Sequence, residues 1–362
     1  MGLFLGLVVG FAVVVTLLVL VGLVLQKIGS ARDARRFPPP GRLVDVGGHR
    51  LHIYCTGGGS PAVVLDSGFP GSSLSWTFVQ PEVAKFTRAC SYDRAGLGWS
   101  DAGPTPRTSR QIVEELHALL LNARVGGPYV LVGHSFGTFP VRLYASIYPE
   151  EVAGMVLVDP IHPSGWLHMT EAENRKLADA VRLSRYGAIL ARLGVARLVS
   201  LLVRLGASGL ARSSVSLLTG GTLAEAERMI APVAKLPSEL RPIVAWFWTQ
   251  PKFFEAIASQ AESLPRSAAQ VAATGDYRDM PLVVHSASGT SPSRLKDHEG
   301  LARLSFQGKH IVASKSGHWI HLDEPDLVVE SIREVVESVR RRQGTWGGRS
   351  EGEGKAGGLD EI

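Results

Sequence analysis

The sequence predicts an α/β fold: a mostly parallel central sheet with helices on both faces, a helical cap inserted into it, and one apolar helix in front. Three observations carry this. Short apolar runs alternate with segments of helical periodicity from about residue 42 to 160 and again over 279–342. The intervening 161–278 shows helical patterns and no convincing strand. Residues Gly2 to Gln26 hold no charged side chain and are dominated by Val, Leu, Phe and Gly. Regular alternation of strand and helix implies a sheet covered on both faces.

The apolar segment 1–26 is long enough to cross a bilayer core, which takes about 20 residues. No basic residue precedes it and the run is longer than a signal-peptide core, so a transmembrane anchor is the expectation and a cleaved leader the alternative. The flank carries Lys27, Arg32, Arg35, Arg36 and Arg42 against Asp33. By the positive-inside rule that flank stays cytoplasmic, giving a single-pass protein with a cytoplasmic catalytic domain; an exported or secreted domain is the alternative. Residues 27–41, ending in Arg36-Phe-Pro-Pro-Pro-Gly41, read as a basic, stiff spacer.

Leu43–Val46 and Leu51–Cys55 are strand-like around Gly47-Gly48, a hairpin signal. Ala62–Asp66, Ala89–Asp93, Tyr129–Gly133 and Met155–Asp159 are apolar runs suited to strands buried on both faces. Leu74–Phe86, Ser109–Ala123 and Phe139–Tyr148 carry helical periodicity, with a cap signal at Thr108-Ser109. Within the insertion, Arg182, Arg185, Arg192, Arg197 and Arg204 gather on one side of a helical stretch centred on Arg185–Leu205. Two readings stay open there: a cap helix with a solvated basic face, or a membrane-contacting helix that collects apolar substrate. Strands resume at Pro281–Ser286 and Lys309–Ala313. Leu327–Arg341 places Val328, Ile332, Val335, Val336 and Val339 on one helix face. From Gln343 the chain is Gly-rich with mixed charge and reads as a disordered tail.

The chain is 45% hydrophobic with a net charge of +5. Its basic residues form no stripe interleaved with aromatics, so no nucleic-acid partner is expected. Cys55 and Cys90 fit neither a disulfide framework nor a Cys-x-x-Cys motif, and read as buried free thiols.

Gly133-His134-Ser135-Phe136-Gly137 lies between a strand and a helix. That is the context of a nucleophile elbow, where glycines leave room for a strained turn and the serine stands at a helix N-terminus. Serine needs a base oriented by a third group. His318, after the last strand, is the candidate base; His321 is the alternative. The spacing His318-x-x-His321-x-Asp323 would suit a metal, but no further His or Cys cluster supports one. No cofactor and no metal is expected. Asp93-Arg94 reads as a structural ion pair shaping its loop.

The chain resembles the α/β-hydrolase superfamily, and more closely its bacterial membrane-anchored or secreted members. The matching segments are Gly48–Gly57, Tyr92–Asp101, Gly133–Gly137 and Ser316–Pro325. The resemblance covers Gly41 to Arg341 and implies a hydrolytic serine. In this fold the order is Ser, acid, His. Asp159, ending the strand after the elbow unit, is the favoured acid, with Asp297 the alternative. The resemblance implies oxyanion donors at the N–H of Phe136 and Phe69, since Pro70 has none. It departs from relatives at Ser67-Gly68, where many have His-Gly, and at Thr138, where many have Gly. The serine argues against dehalogenase or epoxide hydrolase chemistry, whose relatives use aspartate there.

The expected activity is therefore hydrolysis of a small-molecule carboxylic ester, lipid-like if the anchor and the apolar cap are a guide, through an acyl-enzyme. Peptidase or amidase, acyltransferase and cofactor-free peroxidase share the same residues. A non-catalytic binding protein is the reading from another class.

Overall fold

The computed structural model describes residues 2–204 and 231–350. Eight strands form one sheet: β1 (Arg42–Asp45), β2 (Arg50–Thr56), β3 (Ala62–Asp66), β4 (Ala89–Tyr92), β5 (Tyr129–His134), β6 (Val152–Val158), β7 (Leu282–Ser286) and β8 (Gly308–Val312). Their spatial order is β1-β2-β4-β3-β5-β6-β7-β8. β1 and β2 pair antiparallel through a turn at Gly47 and Gly48, both at positive φ, and β2 also meets β4 antiparallel. Every other pairing is parallel.

The apolar runs are explained by burial on both faces. Along β3, Val64 faces one core while Val63 and Leu65 face the other, as the two-residue side-chain period requires. On the first face lie α3 (Ser109–Asn122) and α4 (Thr138–Ile147), through Leu116, Leu120, Phe139 and Tyr144. Thr108 caps α3 by accepting from the Gln111 N–H at 3.3 Å. On the second face lies the last helix, Pro325–Ser350, through Val328, Ile332, Val335, Val336 and Val339. This helix continues past Arg341 to Ser350 instead of giving way to a tail at Gln343, and 351–362 lie outside the described residues.

Three expectations are corrected. Leu74–Phe86 is not one helix but a 3-10 turn, Ser73–Trp76, and a short α2, Gln80–Val83. Cys55 and Cys90 are not free thiols; they form a disulfide. They are register partners on the antiparallel β2 and β4, so their side chains face one another directly. A sequence separation of 35 residues conceals that neighbourhood. Third, the stiff spacer does not begin at residue 27: α1 runs unbroken from Gly2 to Arg36, and the prolines follow it. Its apolar part is long and apolar enough to cross a membrane, with a mean hydropathy of 3.1.

The insertion is helical, as expected. Its described helices include α5 (Ser164–Leu167), α6 (Glu171–Arg192), α7 (Val195–Arg204), Arg241–Phe247, Pro251–Glu262 and Leu264–Ala272. Residues 205–230, within the predicted insertion, lie outside the described residues, as does the Arg204 side chain.

Candidate active site

β5 ends at His134 and the chain turns through Ser135 into α4. Ser135 has φ 51°, a left-handed value that costs a non-glycine residue on the order of 1–3 kcal/mol. Neither flanking glycine has room for a side chain. A Cβ on Gly133 would come 2.6 Å from the Gly137 carbonyl oxygen, and one on Gly137 would come 2.6 Å from that of Asp66. Thr138, one of the two departures from the family pattern, donates its hydroxyl to the Ser135 carbonyl at 2.6 Å and so braces the strained residue.

Asp159, immediately after β6, also has positive φ, at 41°. Its carboxylate is almost fully buried. Oδ1 accepts from the Ala287 N–H at 3.1 Å, and Oδ2 lies 2.5 Å from His318 Nδ1 and 3.5 Å from Arg294 Nη2. Burial pushes the Asp159 pKa up, but the His318 hydrogen bond and charge, the Ala287 N–H and Arg294 together hold it below the usual carboxylate range. An ionised carboxylate against Nδ1 fixes the imidazole tautomer and leaves Nε2 to act as base. His318 thus meets Asp159, whereas Asp297 sits on the helix Pro292–Ala302 with no described hydrogen bond to His318. His321 is fully buried behind the site, against Trp76 and His134.

The loop after β3 closes the opposite side. Gly68 packs so tightly that a Cβ there would come 2.6 Å from His134 Nδ1 and 3.2 Å from Ser135 Cβ. Arg94 holds this loop: Nη1 donates to Asp66 at 2.8 Å and to the Ser67 carbonyl at 2.7 Å, and Nη2 donates to the Gly68 carbonyl at 3.0 Å. Because a trans peptide is planar, fixing the Gly68 carbonyl also fixes the Phe69 N–H, which points the other way. Phe136 opens the helical turn, where the first N–H groups have no intrahelical acceptor. Its ring lies 5.1 Å from the Arg94 guanidinium. Ser67, the other departure, spends its hydroxyl within the loop, donating to Ser72 O at 2.7 Å. The expected Asp93–Arg94 ion pair is corrected: Arg94 pairs with Asp66, and Asp93 pairs with His52 at 2.9 Å. Adjacent residues on an extended chain point to opposite faces, so each finds its partner on a different strand.

A family model described as "alpha/beta hydrolase fold" matches residues 61–325. The chain belongs to that family. Among curated relatives, it is 36% identical over 104 residues to the uncharacterised protein YqjL of Bacillus subtilis, covering 29% of this chain and 41% of that one. It is 29% identical over 123 residues to a 2-hydroxymuconate semialdehyde hydrolase of a Pseudomonas species, covering 33% and 44% respectively. The matched part spans less than half the length of these relatives. Among solved structures, an esterase from Thermogutta terrifontis matches with a TM-score of 0.58 at 20% identity, over 82% of this chain and 98% of that one. An epoxide hydrolase from Vigna radiata matches with a TM-score of 0.60 at 18% identity, over 82% and 97%. At these identities the structural matches show the fold.

In this family member a cavity of ≈ 590 Å³ lies beside Phe69 and His318, lined by apolar groups including Leu74, Leu236, Phe247, Trp248 and Trp319. Of the two tryptophans flanking Phe247, Trp248 is in its wall and Trp246 is not among its lining residues. Trp76 is buried core instead.

His134 was missed as a site component. Its Nε2–H donates to the His318 carbonyl at 2.8 Å, joining the elbow to the loop that carries His318. The signal was available, since it occupies the variable position before the elbow serine. Its partner, however, is 184 residues away.

Burial keeps three histidines well below the usual imidazole range: His134, His285 at about 4 and His321 at about 3. Below about pH 6.5 the unfolded chain binds protons at these positions that the folded chain does not, so stability is lost as pH falls from there toward about 4. Asp66, raised to about 6 by burial, acts oppositely, but with one group against three. Melting temperatures are therefore expected to drop across this window, and His321→Phe should flatten the slope. An unchanged slope in His321→Phe would contradict the assignment.

Proposed function

We propose that this chain is a membrane-anchored serine hydrolase that cleaves a carboxylic ester through an acyl-enzyme. The observation that carries this reading is the 2.5 Å contact of His318 Nδ1 with Asp159 Oδ2, beside a serine held at φ 51° between strand and helix. Ser135 Oγ attacks the ester carbonyl carbon and gives its proton to His318 Nε2. The Phe69 and Phe136 N–H groups receive the oxyanion. The tetrahedral intermediate collapses, and His318 returns the proton to the leaving alkoxide. Water, deprotonated by His318, then cleaves the acyl-serine. Asp159 holds the imidazole and offsets its charge. Epoxide opening by a carboxylate nucleophile, the chemistry expected of relatives with aspartate at the elbow, is not available to Ser135.

The test is a fluorophosphonate probe followed by a substrate panel. The wild-type chain should be labelled at Ser135, and should turn over p-nitrophenyl esters faster than styrene oxide or peptide arylamides. Absence of labelling in the folded protein would remove the serine mechanism. Preferential arylamide cleavage would replace the esterase reading with an amidase one.

The anchor reading rests on α1. Its last turns dock on the cap through Gln26 and Asp33, contacts that a cleaved leader would forfeit. The disulfide supports placing the catalytic domain on the oxidising, exported side, against the cytoplasmic placement drawn from the basic flank. Maleimide labelling of denatured protein from cells is expected to require prior reduction. Two thiols free without reductant would return the domain to the cytoplasm.

A further inference from the structure

The sequence leaves two readings open for the basic residues of the cap helices, and the structure shows those of α6 exposed and paired with acids. Arg185 pairs with Glu262 at 2.8 Å, Arg192 pairs with Glu255, and Arg197 reaches Asp33 of α1. Their charges are spent on the neighbouring helix Pro251–Glu262 and on α1. Beside these exposed ion pairs, α6 and α7 also leave large apolar side chains open: Tyr186, Ile189, Leu198 and Leu201 are each about half exposed (55, 48, 56 and 51%).

The position of this patch relative to α1 says what covers it. Gly22, Gln26, Gly29, Ser30 and Asp33 recur every three or four residues and so share one face of α1. That face is docked on the cap. A Cβ on Gly22 would come 2.2 Å from the Leu193 carbonyl oxygen, and one on Gly194, at φ 76°, would come 2.8 Å from the Gly22 carbonyl oxygen. Gln26 Nε2 donates to the Thr249 carbonyl at 2.8 Å, and Arg197 Nε donates to Gln26 Oε1 at 3.1 Å. The apolar part of α1 ends at Gln26, so the α6–α7 turn meets it about 6 Å inside that end, at 1.5 Å per residue. A turn at that level cannot stay in bulk water if α1 crosses a bilayer.

We propose that the α6–α7 turn and its flanks, with Ile189 and Leu198 on either side, are a membrane-contacting surface that rests in the lipid interface beside α1. The hydrolase site thereby takes its ester from the bilayer. This rests on the anchor reading above. The occupant is a lipid surface, because the patch is continuous with a helix that already satisfies the length and apolarity of a membrane span, and amphipathic helices bury such faces at the headgroup–acyl boundary. The end of α1 also adjoins the cavity wall. Phe37, just past α1, accepts the Trp99 indole N–H at 2.9 Å and packs 6.0 Å from Trp246, the neighbour of the cavity residues Phe247 and Trp248.

The full chain in single-copy phosphatidylcholine nanodiscs tests this, using an environment-sensitive fluorophore on one introduced thiol, since both native cysteines are bonded. Labels at Ile189→Cys and Leu198→Cys should be quenched by lipids brominated high on the acyl chain. A label at Val13→Cys should be quenched by deeply brominated lipids, and one at Arg175→Cys by neither. Quenching at Val13→Cys without quenching at Ile189→Cys or Leu198→Cys would overturn the surface and leave the anchor standing. No quenching at Val13→Cys would overturn the anchor, and this proposal with it. As a second readout, Leu198→Asp/Leu201→Asp should turn over a soluble short-chain ester within about twofold of wild type, yet lose about tenfold or more on a long-chain ester carried in vesicles. Equal loss on both substrates would assign these leucines to folding instead.

Discussion

Ser135→Ala is expected to lower kcat on a soluble ester by on the order of 10⁴- to 10⁶-fold and to abolish fluorophosphonate labelling, with little change in melting temperature. Removing the hydroxyl takes away the atom that the proposed mechanism uses to form the acyl-enzyme. The backbone N–H groups remain and account for residual activity. Alanine keeps the φ of 51°, so it neither adds nor relieves strain. Glycine at the same position would relieve it, so Ser135→Gly should be as inactive as Ser135→Ala but more stable. That pairing separates catalysis from folding at one residue. Asp159→Asn should cost about 10⁴-fold in kcat because an amide no longer enforces the productive tautomer of His318. Asp297→Asn should leave kcat unchanged. The reverse outcome for the two aspartates would move the acid to the helix Pro292–Ala302.

The parts of this fold that read easily from sequence are those where one local pattern decides the outcome. The β3, β5 and β6 runs are apolar because both faces of the sheet are covered, and nothing distant is needed to see it. The meeting of Asp159 with His318 was legible for a related reason: a carboxylate ending a central strand stands on the edge where the elbow stands. What was not legible depended on which strands become neighbours. Cys55 and Cys90 meet only because β2 pairs with β4. Asp93 and Arg94, adjacent in sequence, look like partners, yet they serve His52 and Asp66 on opposite sides of β4. The docking face of α1 failed to stand out for another reason. Gly22, Gln26, Gly29 and Ser30 are unremarkable in an apolar helix until the α6–α7 turn is placed against them.

Arg94→Met is expected to destabilise the fold by about 3–5 kcal/mol, because it leaves the Asp66 carboxylate buried without its cation. Asp66 already titrates near 6 with Arg94 in place, burial being the larger influence, so its remaining negative charge depends on that guanidinium. The same side chain also fixes the Ser67 and Gly68 carbonyls, and so the direction of the Phe69 N–H. Stability and the direction of the Phe69 N–H are therefore coupled through one residue, and a second substitution uncouples them. Asp66→Asn in the Arg94→Met background removes the stranded charge while keeping an acceptor for the Tyr92 hydroxyl, which donates to Asp66 at 2.8 Å. The double variant should recover most of the lost stability. Its kcat should stay low by on the order of 10²-fold, the scale of a 1 Å misplacement, because the Gly68 carbonyl then keeps the Gly71 N–H at 2.7 Å but loses the guanidinium that ties it to β3. Recovery of both would mean that Arg94 acts only by neutralising Asp66. Arg94→Lys completes the comparison: one ammonium can balance Asp66 but cannot span the carboxylate and two carbonyls as the planar fork does. It should therefore resemble wild type in stability and the double variant in kcat.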